Sequence, residues 1–410
     1  MKKLFIILAI VIFLLAIFIS GCTTSTPSTT PTPTTTPTPT PAPEAKILKI
    51  GVIYGLTGPG SQHQLMERDV AQLCADWLNE KGGITIKGEK YKIELIDEDS
   101  KMTPPGALDA ATRLVYEENV KFIIGCVIPV QVHAVSSVTE KNKVLYISTR
   151  TDVVSPAEPY TFTSMYNHAG PTPIVYEALL EKYPGVKNIS QIINDETGAR
   201  MAAQVSQNIA KAHGLTMLEP QVHPWEATEF FPEWTKIINQ KPDAVDVGLN
   251  LPDNLANCIK QGRQLGYLGP MFCPVGGDPH MLQNMVDKEF LTDFIYNVVD
   301  VYGSDATPMI KEIVTRWAKS HNDPCDADAP EAWDPLWELA QAIEKAQSLD
   351  PTDVKNALEN MPTIETSCGT AKLGGGKTFG INHMIFKPAP VSRFVNGELE
   401  FVKWGDVWLP

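Results

Sequence analysis

The chain has 410 residues, 43% of them apolar and 20% charged, and its 48 acidic side chains against 34 basic ones give a formal net charge of -14. That acidity becomes -16 once Lys2 and Lys3 are removed, which argues against nucleic acid and against attraction to anionic lipid. The length exceeds one ordinary core and predicts two lobes of about 150 to 200 residues each.

The first 22 residues read as a lipoprotein export signal: Lys2 and Lys3, an unbroken apolar run from Leu4 to Ile19, then Ser20-Gly21-Cys22. A run of 16 apolar residues is short for a bilayer span, and small residues before a cysteine mark processing and acylation. A plain transmembrane anchor is the alternative. Cys22 is the expected lipidation site, and the mature protein is expected to be extracytoplasmic, in the periplasm or on the outer face of the cell membrane. Residues 23 to 45 are almost only Thr and Pro, with seven prolines. They predict a semi-rigid stalk reaching at most about 70 Å.

From residue 47 the pattern is strand then helix, repeated. Ile47 to Tyr54 is an apolar run ending in Gly55-Leu56-Thr57-Gly58-Pro59-Gly60, and a helix to about Glu80 follows, stopped by Lys81-Gly82-Gly83. Strands are expected at Tyr91 to Asp97, Val120 to Gly125 and Val144 to Ser148, with a helix from Pro105 to Asn119. The short apolar strands are of the kind buried on both faces of a parallel sheet. A second set follows: strands at Ile189 to Asn194, Leu215 to Glu219, Ala244 to Leu249 and Met271 to Pro274, with helices near 199 to 213, 232 to 239 and 253 to 265. Asn297 to Tyr302 reads as a further strand. Helices near 307 to 320, 330 to 348 and 351 to 360 precede strands at Met384 to Phe386, Ser392 to Val395 and Leu399 to Val402, the last two joined by the Asn396-Gly397 hairpin signal. The fold class is therefore α/β, two doubly wound lobes of discontinuous sequence.

Several chemistries find no support. Ala371 to Thr378, reading A-K-L-G-G-G-K-T, fits a relaxed phosphate loop, but Phe379-Gly380-Ile381-Asn382 is a poor helix start and only 32 residues follow. A glycine-rich turn between strands is expected instead. There is no G-x-S-x-G elbow and no H-E-x-x-H, so no enzyme activity, catalytic residue, metal site or cofactor is expected. The Asp97-Glu98-Asp99 cluster reads as a solvated strand end. Six cysteines follow Cys22, at 74, 126, 258, 273, 325 and 368, and buried free thiols and disulfides stay equally open. One loop stands out: Thr149-Arg150-Thr151-Asp152 leaves the buried strand Val144 to Ser148 at the edge where open α/β sheets bind ligands. Arg150 could clamp a carboxylate there or pair with Asp152.

Leu56-Thr57-Gly58-Pro59, the helix end Asn79-Glu80-Lys81-Gly82-Gly83-Ile84, and Phe230 with Pro242-Asp243-Ala244-Val245 resemble the type I periplasmic binding proteins of the branched-chain amino-acid class, over roughly residues 46 to 404. The resemblance implies two Rossmann-like lobes with parallel sheets, joined by a three-crossover hinge that encloses a small-molecule solute and presents it to an ABC transporter permease. On that pattern residues 1–21 are signal peptide and 22–45 the lipidated cysteine and stalk. Residues 46–164 and 302–382 make the first lobe, and 165–301 and 383–410 the second.

The family's binding residues carry over only in part. The hydroxyl-rich loop that holds an α-carboxylate is matched by Cys126-Val127-Ile128-Pro129-Val130-Gln131, without a hydroxyl, and the next loop by Ser148-Thr149-Arg150-Thr151-Asp152. His63, after Gln62, stands where an aromatic is usual. Asp195-Glu196-Thr197-Gly198 lacks a tyrosine, Leu249-Asn250 takes the next aromatic place, and Asp278 lies where an acid commonly holds the ammonium. The expected ligand site is thus Gln62, His63, Ile128, Pro129, Thr149, Arg150, Thr151, Tyr166, Glu196, Asn250 and Asp278. Its expected ligand is an amino-acid-like or organic-acid solute with a polar head and an apolar or aromatic body. The protein is expected to work as a monomeric, lipid-anchored receptor for an importer. The alternative is a sensing subunit, a role that usually adds a spanning helix and signalling domain beyond a body such as this, which stops at Pro410.

Overall fold

The computed structural model describes residues 45–407 apart from 59–60, 127, 150–153, 165–169, 196, 225, 249–251 and 275–277, and apart from the side chains of 197, 198, 201, 252 and 253. The chain first lays down β1 (Lys46–Tyr54), α1 (Ser61–Glu80), β2 (Ile84–Ile86), β3 (Glu89–Asp99), α2 (Pro104–Tyr116), β4 (Phe122–Gly125), α3 (Pro129–Asn142), β5 (Leu145–Ser148) and β6 (Thr161–Thr163). It then forms α4 (Thr172–Lys182), β7 (Asn188–Asn194), α5 (Thr197–Ala212), β8 (Thr216–Met217), β9 (Gln221–His223), α6 (Phe231–Gln240), β10 (Ala244–Asp246), α7 (Pro252–Gln264), β11 (Met271–Cys273), α8 (Pro279–Met285) and β12 (Phe294–Tyr296). The last stretch holds α9 (Pro308–Ser320), α10 (Ala329–Ala346), α11 (Pro351–Glu359), β13 (Ile364–Thr366), β14 (Gly369–Gly374), α12 (Gly376–Phe379), β15 (Met384–Phe386), β16 (Ala389–Val395) and β17 (Glu398–Gly405).

These strands build two sheets, one for each lobe. The first runs β13-β14-β15-β6-β5-β4-β1-β3-β2, and the second β17-β16-β12-β11-β10-β7-β8 with β9 paired to β7. The centre of each is parallel: Ile50 lies opposite Leu95, Ile123 opposite Tyr146, and Val245 opposite both Ser190 and Met271. Parallel strands need helical crossovers, which cover both faces, so the strands must be apolar on both sides. That explains β4 and β5, in which every residue is buried. One face of the first sheet packs under α1 and α10 through Trp77, Trp333, Leu336 and Ile343, with the Trp77 and Trp333 rings edge to face at 5.4 Å. Its other face packs under α2 and α3 through Ala107, Leu114, Val132 and Val135.

The chain passes between the sheets three times: from β6 to α4, from β12 to α9, and from β15 to β16 through Lys387-Pro388 alone. The strand expected at Asn297 to Tyr302 is displaced. β12 ends at Tyr296, and 297–302 is an irregular crossing whose backbone is satisfied by turns such as Gly303 N to Asp300 O at 2.9 Å. The expected return to the second lobe at residue 383 is also displaced, because Met384 of β15 pairs with Thr163 of β6 in the first sheet. Of the segment Ala371 to Thr378, the first half is the end of β14, paired with β15, and the rest opens the turn toward β15 through Gly375 and α12, which at four residues is too short to present a phosphate-binding terminus. All six cysteines after Cys22 are free. No helix among the described residues is long and apolar enough to cross a membrane.

Candidate ligand cleft

In open α/β sheets the groups that meet a ligand leave the C-terminal strand ends. At the end of β4 the chain turns sharply, with Gly125 at φ +106° and Cys126 at φ +61°. A Cβ at Gly125 would stand 2.3 Å from Ile53 O, so only glycine fits beside β1. Cys126 N then donates to Ile53 O at 2.7 Å. Ile128 is the N-cap of α3, contributes no side-chain cap hydrogen bond, and is followed by Pro129 at the first helical position. This apolar entry places Ile128 half-buried and Pro129 exposed at the strand end. Thr149, after β5, is buried, and its hydroxyl is already engaged with Cys126 O at 3.1 Å. It braces the β4 and β5 loops against each other.

The loop after β1 is held by an aspartate that the sequence reading left to solvent. Asp99 accepts from Leu56 N at 2.9 Å, Thr57 N at 3.2 Å, Thr57 Oγ1 at 2.5 Å and Lys101 N at 2.7 Å. Burial works against its charge, but those donors prevail and hold the carboxyl below its ordinary value. Its neighbours are engaged as well, Asp97 with Arg68 and Glu98 with Arg113. The strand end is therefore a set of paired carboxylates. Gln64, one turn into α1 and buried, accepts from Gly55 N at 2.5 Å, whereas Gln62 is exposed.

His63 marks an acid-rich corner of the first lobe. Its Nε2 lies 3.4 Å from Glu67 and 3.8 Å from Asp328, and its Nδ1 lies 4.0 Å from Asp326. Burial and the charge of Asp328 raise the Asp326 carboxyl above its ordinary value; His63 opposes this, and Asp278 of the second lobe adds to it. Asp278 is the N-cap of α8, accepting from His280 N at 2.8 Å, while His280 Nε2 lies 3.4 Å from Asp300. Between α8 and the segment joining α9 to α10 lies a groove of about 770 Å³, lined by Asp278, His280, Tyr302, Trp317, His321 and Cys325. It has one wall on each lobe.

The structure thus brings His63 and Asp278 toward one acidic corner, and sets Ile128, Pro129 and Thr149 at neighbouring strand ends. Arg150, Thr151, Tyr166, Glu196 and Asn250 lie outside the described residues, as does Cys22. Gln64, Asp99, Asp326 and Asp328 were missed. The sole signal for the last two was acids just before a predicted helix, which is also what an ordinary N-cap looks like. Among the described residues no group of His, Cys, Asp or Glu is arranged to hold a metal ion.

A family model described as periplasmic binding protein matches residues 47–393. The chain is 29% identical over 338 residues to the Leu/Ile/Val-binding protein BraC3 of Rhizobium johnstonii, covering 80% of this chain and 87% of that one. In structure it is similar to the branched-chain amino acid transporter substrate binding protein LivJ of Streptococcus pneumoniae, solved with isoleucine, at a TM-score of 0.69 and 19% identity over 88% of this chain and 100% of that one. A solute binding protein of an ABC transporter from Rhodopseudomonas palustris, solved with 3,4-dihydroxybenzoic acid, superimposes at a TM-score of 0.68 and 20% identity, over 88% of this chain and 98% of that one. Members of this family are extracytoplasmic solute-binding proteins of ABC importers, not enzymes. With two parallel sheets linked by three crossings and a family match across nearly the whole folded body, the chain belongs to the periplasmic binding protein family and has the type I fold of its branched-chain amino-acid transporter class.

Proposed function

We propose that this protein is a lipid-anchored receptor of an ABC importer that closes its two lobes around a small organic acid and hands it unchanged to the permease. The observation that carries the ligand class is the loop after β4. Its Cys126 and Ile128 offer no hydroxyl, and the Ser148 and Thr149 hydroxyls on the neighbouring strand end already donate to Phe162 O and Cys126 O. An amino acid's α-carboxylate placed there would lose a charged hydrogen bond, a cost of about 1.5 to 3 kcal/mol. Arg150, on the next strand-end loop, is the alternative anchor, since guanidinium binds carboxylate through two parallel hydrogen bonds. The ligands of the similar structures, isoleucine in one and 3,4-dihydroxybenzoic acid in the other, bracket the choice. The altered loop favours the aromatic or aliphatic acid over leucine. Asp278, Asp326 and Asp328 on the flank favour a monoanion over a dianion.

Calorimetric titration against leucine, isoleucine, benzoate and 3,4-dihydroxybenzoate tests this. An acid without an α-amino group is expected to bind at least tenfold tighter than leucine, and Arg150→Ala to weaken it by roughly tenfold to a hundredfold. Tight leucine binding that survives Arg150→Ala contradicts the assignment.

A further inference from the structure

The link from β15 to β16 carries a fully buried cation, Lys387. Its Nζ lies 2.6 Å from Asp334 Oδ2 on α10, and Asp334 also accepts from Ser367 N at 2.7 Å and Ser367 Oγ at 2.8 Å. One turn further along α10, on the same face, Glu338 is wholly buried. Neither of its carboxylate oxygens has a close hydrogen-bond partner among the described residues. Ser164, the first residue after β6, is buried beside it, and its hydroxyl is the one donor that acts on the Glu338 carboxyl among the described residues. Ser164 opens the crossing to α4, which packs against strands of the second sheet. Two of the three crossings therefore rest on one face of one helix, and that face holds one cation for two carboxylates.

The charge balance at this face decides which carboxylate keeps its proton. Asp334 has the ammonium in contact and two further donors; Glu338 has the Lys387 charge only from a distance and the Ser164 hydroxyl beside it. Burial drives the Glu338 carboxyl up to about 8; Lys387 draws it down and Asp334 pushes it up. Burial lowers the Lys387 ammonium, but Asp334 and Glu338 outweigh that and keep it charged. The remaining titratable neighbours are Glu331 on α10, Cys368 beyond β13 and, beside Asp334, Cys74 on α1, both thiols raised by burial. The strands under α10 present Phe122, Ile124, Leu145 and Ile147, which carry no charge.

We propose that Glu338 is a proton-linked latch on the hinge: while it is neutral, the Lys387–Asp334 pair holds the β15–β16 link against α10, and its ionisation competes for Lys387 and resets the angle between the lobes. A second buried carboxylate charge interacts strongly with the one ammonium in reach, because little water screens it. Lys387 is half of the two-residue link between β15 and β16, so a shift of its ammonium from Asp334 toward Glu338 in this close-packed interior is passed to that link. The leaving proton goes to solvent. The inference rests on the reading that the lobes swing about these crossings.

Energy transfer between dyes on Asp109→Cys, exposed on α2, and Lys211→Cys, exposed on α5, measures the lobe separation in the whole chain without ligand. The separation is expected to change as a one-proton titration between pH 7 and 9. Glu338→Gln, which copies the neutral acid, is expected to hold the low-pH separation throughout, as is Glu338→Met should the amide disturb folding. An unchanged separation from pH 6 to 9.5 in the unsubstituted chain overturns the latch, and so does an equal titration in both variants. If isoleucine or benzoate moves the lobes but pH does not, the latch fails and the hinge reading stands. If neither moves them, both fail.

Discussion

Gly125 shows how one residue sets the geometry of a strand-end loop. A side chain there would meet Ile53 O at 2.3 Å while the backbone sits at φ +106°, so Gly125→Ala is expected to destabilise the fold by roughly 2 to 3 kcal/mol. The urea midpoint, read by circular dichroism, checks it. Thr149 tests the opposite case, a polar residue near the cleft whose hydroxyl serves the scaffold. Thr149→Val removes the bond to Cys126 O and is expected to cost about 1 kcal/mol of stability with less than a threefold change in ligand affinity. A large affinity loss without a stability loss would mean that the hydroxyl reaches the ligand. Asp99 was open to view in the sequence as an acid at a strand end. What hid its role was geometry, because the amides of Leu56 and Thr57 that it binds come from a loop 42 and 43 residues earlier.

At the scale of elements, the strands buried on both faces were legible because their apolar runs leave no other reading. Strands of three residues, such as the edge strands β2 and β13 and the interior β6, are too short to show a period. Helix α3 went unread because Ile128 supplies no capping side chain and Ser and Thr interrupt its apolar face. α4 begins from Pro171, equally uncapped. Helix α10 was found, but its buried face was not, since Asp334 meets Lys387 across 53 residues of chain. Removing one partner strands a buried charge, so Asp334→Ala is expected to cost about 3 to 5 kcal/mol. Asp334→Leu combined with Lys387→Met is expected to cost far less than the two single changes together, read from thermal melts. Glu338 adds a pH signature. Its carboxyl is raised above the unfolded value, so the folded state holds a proton that the unfolded chain has lost, and stability falls as pH rises from about 4.5 toward 8. Glu338→Gln is expected to flatten that decline. A melting curve with the same slope against pH in the variant would contradict it.

For the whole molecule, the alternation of strands and helices and the turn motifs around Thr57-Gly58 and Gly82-Gly83 foretold two sheets built from discontinuous sequence, and the strand orders of the two sheets agree with that. The ligand was less legible. Its recognition depends on which side chains meet across two lobes, and the aligned family positions had mostly changed identity. The acid corner of His63, Glu67, Asp326 and Asp328 gathers residues from the start of α1 and the entry to α10, a juxtaposition that only the folded chain creates. The central claim is that this body captures a solute between its lobes by closing on it. Small-angle X-ray scattering of the protein, titrated with the solute released from it and identified by mass spectrometry, tests that most directly. Saturation is predicted to lower the radius of gyration, with a midpoint matching the calorimetric affinity. A radius that stays constant through saturation would contradict it.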